Sequence, residues 1–324
     1  MLSKETMNDN ILGSLIARRG TLVLDGALAT ELERAGCDLD HSLWSARVMI
    51  DHPERVAAVH RSYLEAGCDI IASATYQASI PGFIAEGLSV ADAEELFVET
   101  IRTASAERDR FAHERGLSKE DQPLVAVSLG PFGAYLANGS EYRGNYSSTT
   151  SEIEHFHVER LALVAEEIRA GHADLVALET VPSLKEARLC ARLFDALMIP
   201  GWISFVCKDG QSTCEGQAID ECARVLQAAK WVVGIGVNCT APQYIPELLA
   251  GLRAGTDKPL LAYPNSGEVY EAASHSWSGK SVLSEVESGA ARWIAAGASV
   301  VGGCCRTTPS DMAALVAWRN KTAG

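Results

Sequence analysis

Short, nearly continuous apolar runs alternate along this chain with segments whose apolar residues recur every three or four positions. The runs predict strands at Thr21–Asp25, Cys68–Thr75, Leu124–Leu129, Asp174–Glu179, Trp202–Cys207, Val232–Cys239, Pro259–Asn265 and Ser299–Cys304. Unbroken apolar runs are what parallel strands buried on both faces require. Between them the helical period is plain. In 54–66, Val56, Val59 and Tyr63 share a face; in 151–170, Leu161, Val164, Ala165 and Ile168 do. Ser183 with Glu186 makes a capping-box pattern, and Thr308-Pro309 sets a cap residue before a first-turn proline.

Eight strand–helix alternations match a closed barrel. An open doubly wound sheet would call for a phosphate-binding glycine fingerprint after an early strand, and Asp25-Gly26-Ala27-Leu28 is not one. With no internal repeat and no linker, the expected architecture is an α/β (β/α)8 TIM barrel, a single domain over residues 1–324. Three long irregular segments, 130–150, 208–217 and 266–281, follow the third, fifth and seventh predicted strands. They fall at the carboxyl ends, where barrels build their sites. The first carries Phe132, Tyr135, Tyr142 and Tyr146 with Asn138 and Glu141, and is expected to cover a substrate.

Charge narrows the partners. Asp and Glu outnumber Lys and Arg by 42 to 28, a net charge of −14, which argues against a nucleic-acid partner. It mildly favours a cationic ligand. No apolar run approaches a membrane span, and the polar stretch Met1–Asn10 gives no signal peptide, so a cytoplasmic location and no membrane association are expected. The nine cysteines are then expected to be reduced, and available for metal binding or catalysis.

Three of them fall in a pattern. Asn238-Cys239 ends the sixth predicted strand and Gly302-Gly303-Cys304-Cys305-Arg306 ends the eighth. Neighbouring strands lie about 4.8 Å apart, so Cys239, Cys304 and Cys305 can converge across the single intervening strand. Three thiolates on a tetrahedral Zn²⁺ leave one position open, the arrangement of a catalytic site. The site would carry a charge of −1, favour the thiolate form of an incoming thiol, and leave that sulfur electron-rich. Adjacent cysteines in a glycine-rich turn can also be small buried residues. A vicinal Cys304–Cys305 disulfide is disfavoured by geometry. Cys207, at another predicted strand end, is the fallback ligand.

The pairing of Gly236-Val237-Asn238-Cys239 with Gly302-Gly303-Cys304-Cys305-Arg306 resembles the homocysteine S-methyltransferase family. The likeness runs from Leu24-Asp25-Gly26 to Thr307-Thr308-Pro309. It implies a (β/α)8 barrel, zinc on Cys239, Cys304 and Cys305, and homocysteine as methyl acceptor. By position it implies substrate-binding roles for Asp25, Gly26, Glu179 and Asn238, with Glu179 meeting the homocysteine ammonium. The segments 25–32, Gly139-Ser140-Glu141-Tyr142-Arg143-Gly144 and Tyr263-Pro264-Asn265-Ser266-Gly267-Glu268 look like the stand-alone branch, which uses S-methylmethionine and often S-adenosylmethionine. No cobalamin-binding domain is expected. Trp44, Tyr76, Tyr142 and Trp277 are candidates to face a cationic donor. Alternatives on the same scaffold are betaine as donor, a selenol as acceptor, or a non-catalytic zinc or thiol sensor.

Overall fold

The computed structural model describes residues 11–39, 45–267, 269–271, 276–278 and 286–322. Eight parallel strands form one sheet: Leu22–Val23, Ile70–Ala72, Leu124–Leu129, Leu175–Val181, Gly201–Phe205, Val232–Asn238, Leu260–Tyr263 and Ala298–Val301. The first strand pairs with the eighth, and neighbours pair in turn back to the second. A parallel bridge between Leu24 and Ile70 joins the first strand to the second and closes the barrel. All eight predicted strands are present, mostly shorter than their apolar runs. A small hairpin, Val269–Glu271 with Ser276–Ser278, lies within the predicted 266–281 segment, most of which falls outside the described residues.

Period-two alternation explains why the strands read as continuous apolar runs. Ile70, Ala126, Leu175, Ala177, Trp202, Leu261 and Val300 form the inner cluster with Leu12 and Leu15 of the helix Ile11–Arg19. Their neighbours Ile71, Val125, Val127, Val176, Leu178, Ile203, Ala262 and Val301 belong to the outer core against the helices. Both faces are therefore dry, as a barrel wall requires. The predicted helices appear as Pro53–Glu65 and Thr150–Ala170. Among the described residues, no helix is long and apolar enough to cross a membrane.

At the amino-terminal end one carboxylate ties the barrel to itself. Asp69, 4% exposed, accepts from the Val23 amide at 2.8 Å and from Arg19 at 2.8 Å, and pairs with Arg319. The first strand, the helix Ile11–Arg19 and the closing helix Pro309–Thr322 thus share one acceptor. Asp69→Ala leaves an amide and two guanidinium groups without it. The arginines keep partial access to water, so a loss of about 2–4 kcal/mol is expected, below the full cost of breaking a buried pair. A lowered denaturant midpoint in equilibrium unfolding checks this, and an unchanged midpoint refutes it.

Candidate functional site

Cys239 follows the sixth strand directly, and Cys304 and Cys305 follow the eighth by three and four residues. Their three sulfurs lie within 4.8 Å of one another. Cys239 to Cys305 is 3.5 Å and Cys304 to Cys305 is 4.0 Å. Cys239 and Cys304 are also in contact, with Cα atoms 5.6 Å apart. Thiolates sharing a tetrahedral zinc sit about 3.8 Å apart, so the cluster is compact enough for one ion to reach all three sulfurs. The donor set, three sulfurs from two strand ends, fits a metal ion with one position left for a ligand. The fallback Cys207 is instead buried in the outer core and is not part of the cluster.

Backbone geometry at the strand ends aims the sulfurs. Cys239 has φ 45° and Arg306 φ 70°, both left-handed. The Arg306 amide donates to Thr30 Oγ1. Thr307, fully buried, donates through Oγ1 to the Cys304 carbonyl at 2.7 Å and accepts from the Ala27 amide at 3.1 Å. It thereby stitches the cysteine turn to the end of the first strand. Gly26 is what lets the two approach: a Cβ there would lie 2.5 Å from Thr307 Oγ1 and 2.9 Å from the Tyr63 hydroxyl. Asn238 is also fully buried. Its side chain accepts from the Thr180 amide at 2.7 Å, donates to Thr180 Oγ1 at 2.8 Å, and reaches toward Cys304 Sγ at 3.9 Å. It holds Thr180 in a left-handed conformation (φ 60°) just after Glu179.

Beside the sulfurs opens a cavity of about 540 Å³ lined by Asp25, Gly26, Glu179, Asn238 and all three cysteines. The structure thus brings Cys239, Cys304 and Cys305 to one cavity with the four residues expected to bind substrate. Asp25 Oδ2 accepts from the Ala72 amide at 2.7 Å. Burial nevertheless raises its carboxyl well above the usual range, and the nearby Glu179 adds to the rise. Burial likewise lifts Glu179 to about 7, against the opposing hydrogen bonds from Ser128 and Tyr263. Tyr263 also accepts from Trp202 Nε1 at 3.0 Å, so the carboxylate is anchored down into the barrel core. Burial pushes the Cys305 thiol up to about 12. Among the described residues, no Lys, Arg or His lines the cavity.

The 130–150 segment covers this cavity as expected. It contains the helix Phe132–Tyr135 and the turn Ser140–Tyr142, and it lines the cavity with Asn138, Glu141 and Tyr142. The Tyr142 hydroxyl lies 4.0 Å from Cys239 Sγ. Tyr76 lines the cavity too, whereas Trp44 and the Trp277 side chain fall outside what is described. The anchor is Glu186, whose capping box forms only by half. Ser183 accepts from its amide at 3.4 Å, but the carboxylate turns away to the Phe132 amide (2.6 Å), the Tyr146 hydroxyl (2.5 Å) and His157 (2.7 Å). A buried, satisfied network outweighs a local cap. The predicted 208–217 segment does not line the cavity; its Glu215 props the cover by accepting from the Asn145 amide at 2.8 Å.

Sequence reasoning missed Ser128, Thr180, Tyr263 and Thr307 as site residues. Thr307 and Tyr263 lie within motifs quoted for the resemblance, so position carried a signal for those two. Ser128 and Thr180 carried none.

Comparison with known proteins agrees with this geometry. The family model for homocysteine S-methyltransferase matches residues 22–318. Homocysteine S-methyltransferase YbgG of Bacillus subtilis is 42% identical, over 92% of this chain and 94% of its own length. A selenocysteine Se-methyltransferase of Brassica oleracea is 41% identical, over 91% of this chain and 88% of its own length. The homocysteine methyltransferase MmuM of Escherichia coli, in its metallated form, matches with a TM-score of 0.83 at 37% identity, covering 95% of this chain and 99% of that one. Its oxidized form gives the same TM-score. By sequence over most of its length and by fold, the chain belongs to the homocysteine S-methyltransferase family.

Proposed function

We propose that this protein transfers a methyl group from a sulfonium donor, S-methylmethionine first and S-adenosylmethionine second, to the sulfur of homocysteine, giving methionine. The observation that carries this reading is the convergence of Cys239, Cys304 and Cys305 on one wall of a cavity whose other walls bury Asp25 and Glu179. Zinc on the three sulfurs would lower the pKa of an incoming thiol so that it binds as thiolate.

The protein's own groups do the rest. Asp25, Gly26, Glu179 and Asn238 form the homocysteine subsite. Glu179 meets the ammonium, while Asn238 fixes the Thr180 backbone beside it. Asp25 adds a second negative charge, and Gly26 keeps the wall thin. The cover excludes water, and orientation supplies much of the rate, with donor carbon and acceptor sulfur about 3–3.5 Å apart. The carbon–sulfur bond of the donor breaks as the new one forms, and a neutral thioether leaves with the electron pair. No protein base needs to act on the methyl group. A likeness to a selenocysteine Se-methyltransferase keeps a selenol acceptor within the reading to be tested.

Turnover with reduced, zinc-loaded protein tests this directly. Homocysteine with S-methylmethionine is expected to give methionine at a higher kcat/KM than with betaine, and S-adenosylmethionine is expected to match or trail S-methylmethionine. Highest kcat/KM with betaine would reverse the donor assignment, and no product from any donor would leave only a thiol-binding barrel. Metal analysis of the same protein should give about one zinc per chain. Alanine at Cys239, Cys304 or Cys305 should sharply reduce that content, whereas Cys190→Ala and Cys222→Ala should leave it intact; full occupancy in the three cluster variants refutes the ligand set.

Glu179 gives a pH signature. Its carboxyl sits near about 7 in the free protein, and the ammonium binds the ionised form. Protonation of Glu179 should therefore lower homocysteine affinity about tenfold at one pH unit below that value, in addition to the pH dependence from the proton that the thiol releases on binding. Glu179→Gln should bind homocysteine roughly ten- to hundredfold more weakly at pH 8 and lose this limb, with metal retained. Calorimetric titration reads both, and an identical pH profile in the variant would remove Glu179 from the subsite.

A further inference from the structure

We propose that Glu141 binds the ammonium group of the methyl donor, so that the cover segment selects donors that are themselves amino acids. The inference rests on the methyl-transfer reading above and assigns the half of the cavity that the homocysteine subsite leaves unexplained.

Glu141 lines the cavity from the turn Ser140–Tyr142. Its Oε2 is buried and has no hydrogen-bond partner among the described residues. An ionisable oxygen in that state costs free energy unless a cation or donor arrives to meet it. The other two cavity carboxylates differ in this respect: Asp25 holds the Ala72 amide, and Glu179 holds Ser128 and Tyr263. Burial raises the Glu141 carboxyl, with a hydrogen bond from its own amide and the charge of Arg143 opposing.

Position separates the two ends of a donor. The donor's sulfonium must lie in line with the acceptor sulfur at the cysteine cluster. Tyr142, not Glu141, is the cover residue whose hydroxyl faces Cys239. Glu141 stands one residue earlier, beside Asn138 and Gly139 on the cavity wall. S-Methylmethionine carries its ammonium at the far end of a short carbon chain from its sulfonium, and so does S-adenosylmethionine. Betaine carries no separate ammonium. A carboxylate that meets the donor's ammonium rather than its sulfonium binds ground state and transition state alike, so its removal should move KM and spare kcat.

Steady-state kinetics of the zinc-loaded enzyme with two sulfoniums makes the test: S-methylmethionine, and dimethylsulfoniopropionate, which lacks the ammonium. Glu141→Gln is expected to raise KM for S-methylmethionine roughly ten- to hundredfold, with kcat and the homocysteine KM changed by less than about threefold. KM for dimethylsulfoniopropionate should not rise in the variant. Glu141→Asp, which keeps the charge, should restore part of the preference. The thermal midpoint of ligand-free Glu141→Gln should equal or exceed that of the parent, because burial disfavours the carboxylate charge that the variant lacks. The same KM rise with both sulfoniums, an unchanged KM for S-methylmethionine, or a rise in homocysteine KM instead overturns the assignment while the methyl-transfer reading stands. Parent enzyme that moves no methyl group from either sulfonium overturns both.

Discussion

Negative groups gathered in a desolvated cavity, without a cation among them, set the terms for the rest of this structure. Glu179 lies close enough to Asp25 to oppose its ionisation, and burial raises both. The Cys305 thiol is pushed the same way. Groups in such surroundings either stay neutral or take a positive partner. Every ligand in the proposed reaction brings one: a divalent metal at the sulfurs, an ammonium on homocysteine, a sulfonium and an ammonium on the donor. The protein's acidity, −14 overall, would by itself say little. Its concentration at the barrel mouth is what gives cationic ligands their place.

Holding that arrangement strains the backbone where the strands end. Among the described residues, six that are not glycine have positive φ, and five of them (Ala137, Asn145, Thr180, Cys239 and Arg306) lie in the cover or at the carboxyl-terminal mouth. Conformations of this kind cost on the order of 1–3 kcal/mol each and persist only where surroundings over-determine them. Here the surroundings are visible. Asn238 grips the amide and the hydroxyl of Thr180, and Thr307 locks the cysteine turn to Ala27. Cys239 shows the purpose. Ile235 and Val237 belong to the outer core, so strict alternation would send position 239 outward as well. The left-handed turn at Cys239 takes the chain off the strand and brings the sulfur to the cavity.

What could be read from the sequence follows from the range of the interactions involved. The strands were legible because burial on both faces is written locally, as runs such as Leu175–Val181. The cysteine cluster was legible because barrel order fixes which strand ends are near each other. Cys207 shows the limit of that argument: it too follows a strand, but it shares the outward parity of Ile203 and Phe205 and stays in the outer core. Glu186 was misread for a different reason. Its local capping partner is three residues away, yet the partners that win, Phe132, Tyr146 and His157, come from 29 to 54 residues away. Thr307 acts on Ala27 across 280 positions, a relation no local pattern encodes.

An acidic cavity beneath a cover also suits the type of reaction proposed. Methyl transfer from a sulfonium to a thiolate consumes one positive and one negative charge and creates none. Water would solvate both reactants better than the charge-dispersed transition state, so excluding it favours the reaction. The same exclusion would penalise a hydrolytic reaction, which needs water at the reacting atoms. It also makes the cover more than a lid. Glu186 fixes the cover's start through the Phe132 amide, and Glu215 supports its far end through Asn145. Between those two anchors lie the residues that face the cavity, Asn138, Glu141 and Tyr142, so the wall that excludes water is also the wall that meets the donor.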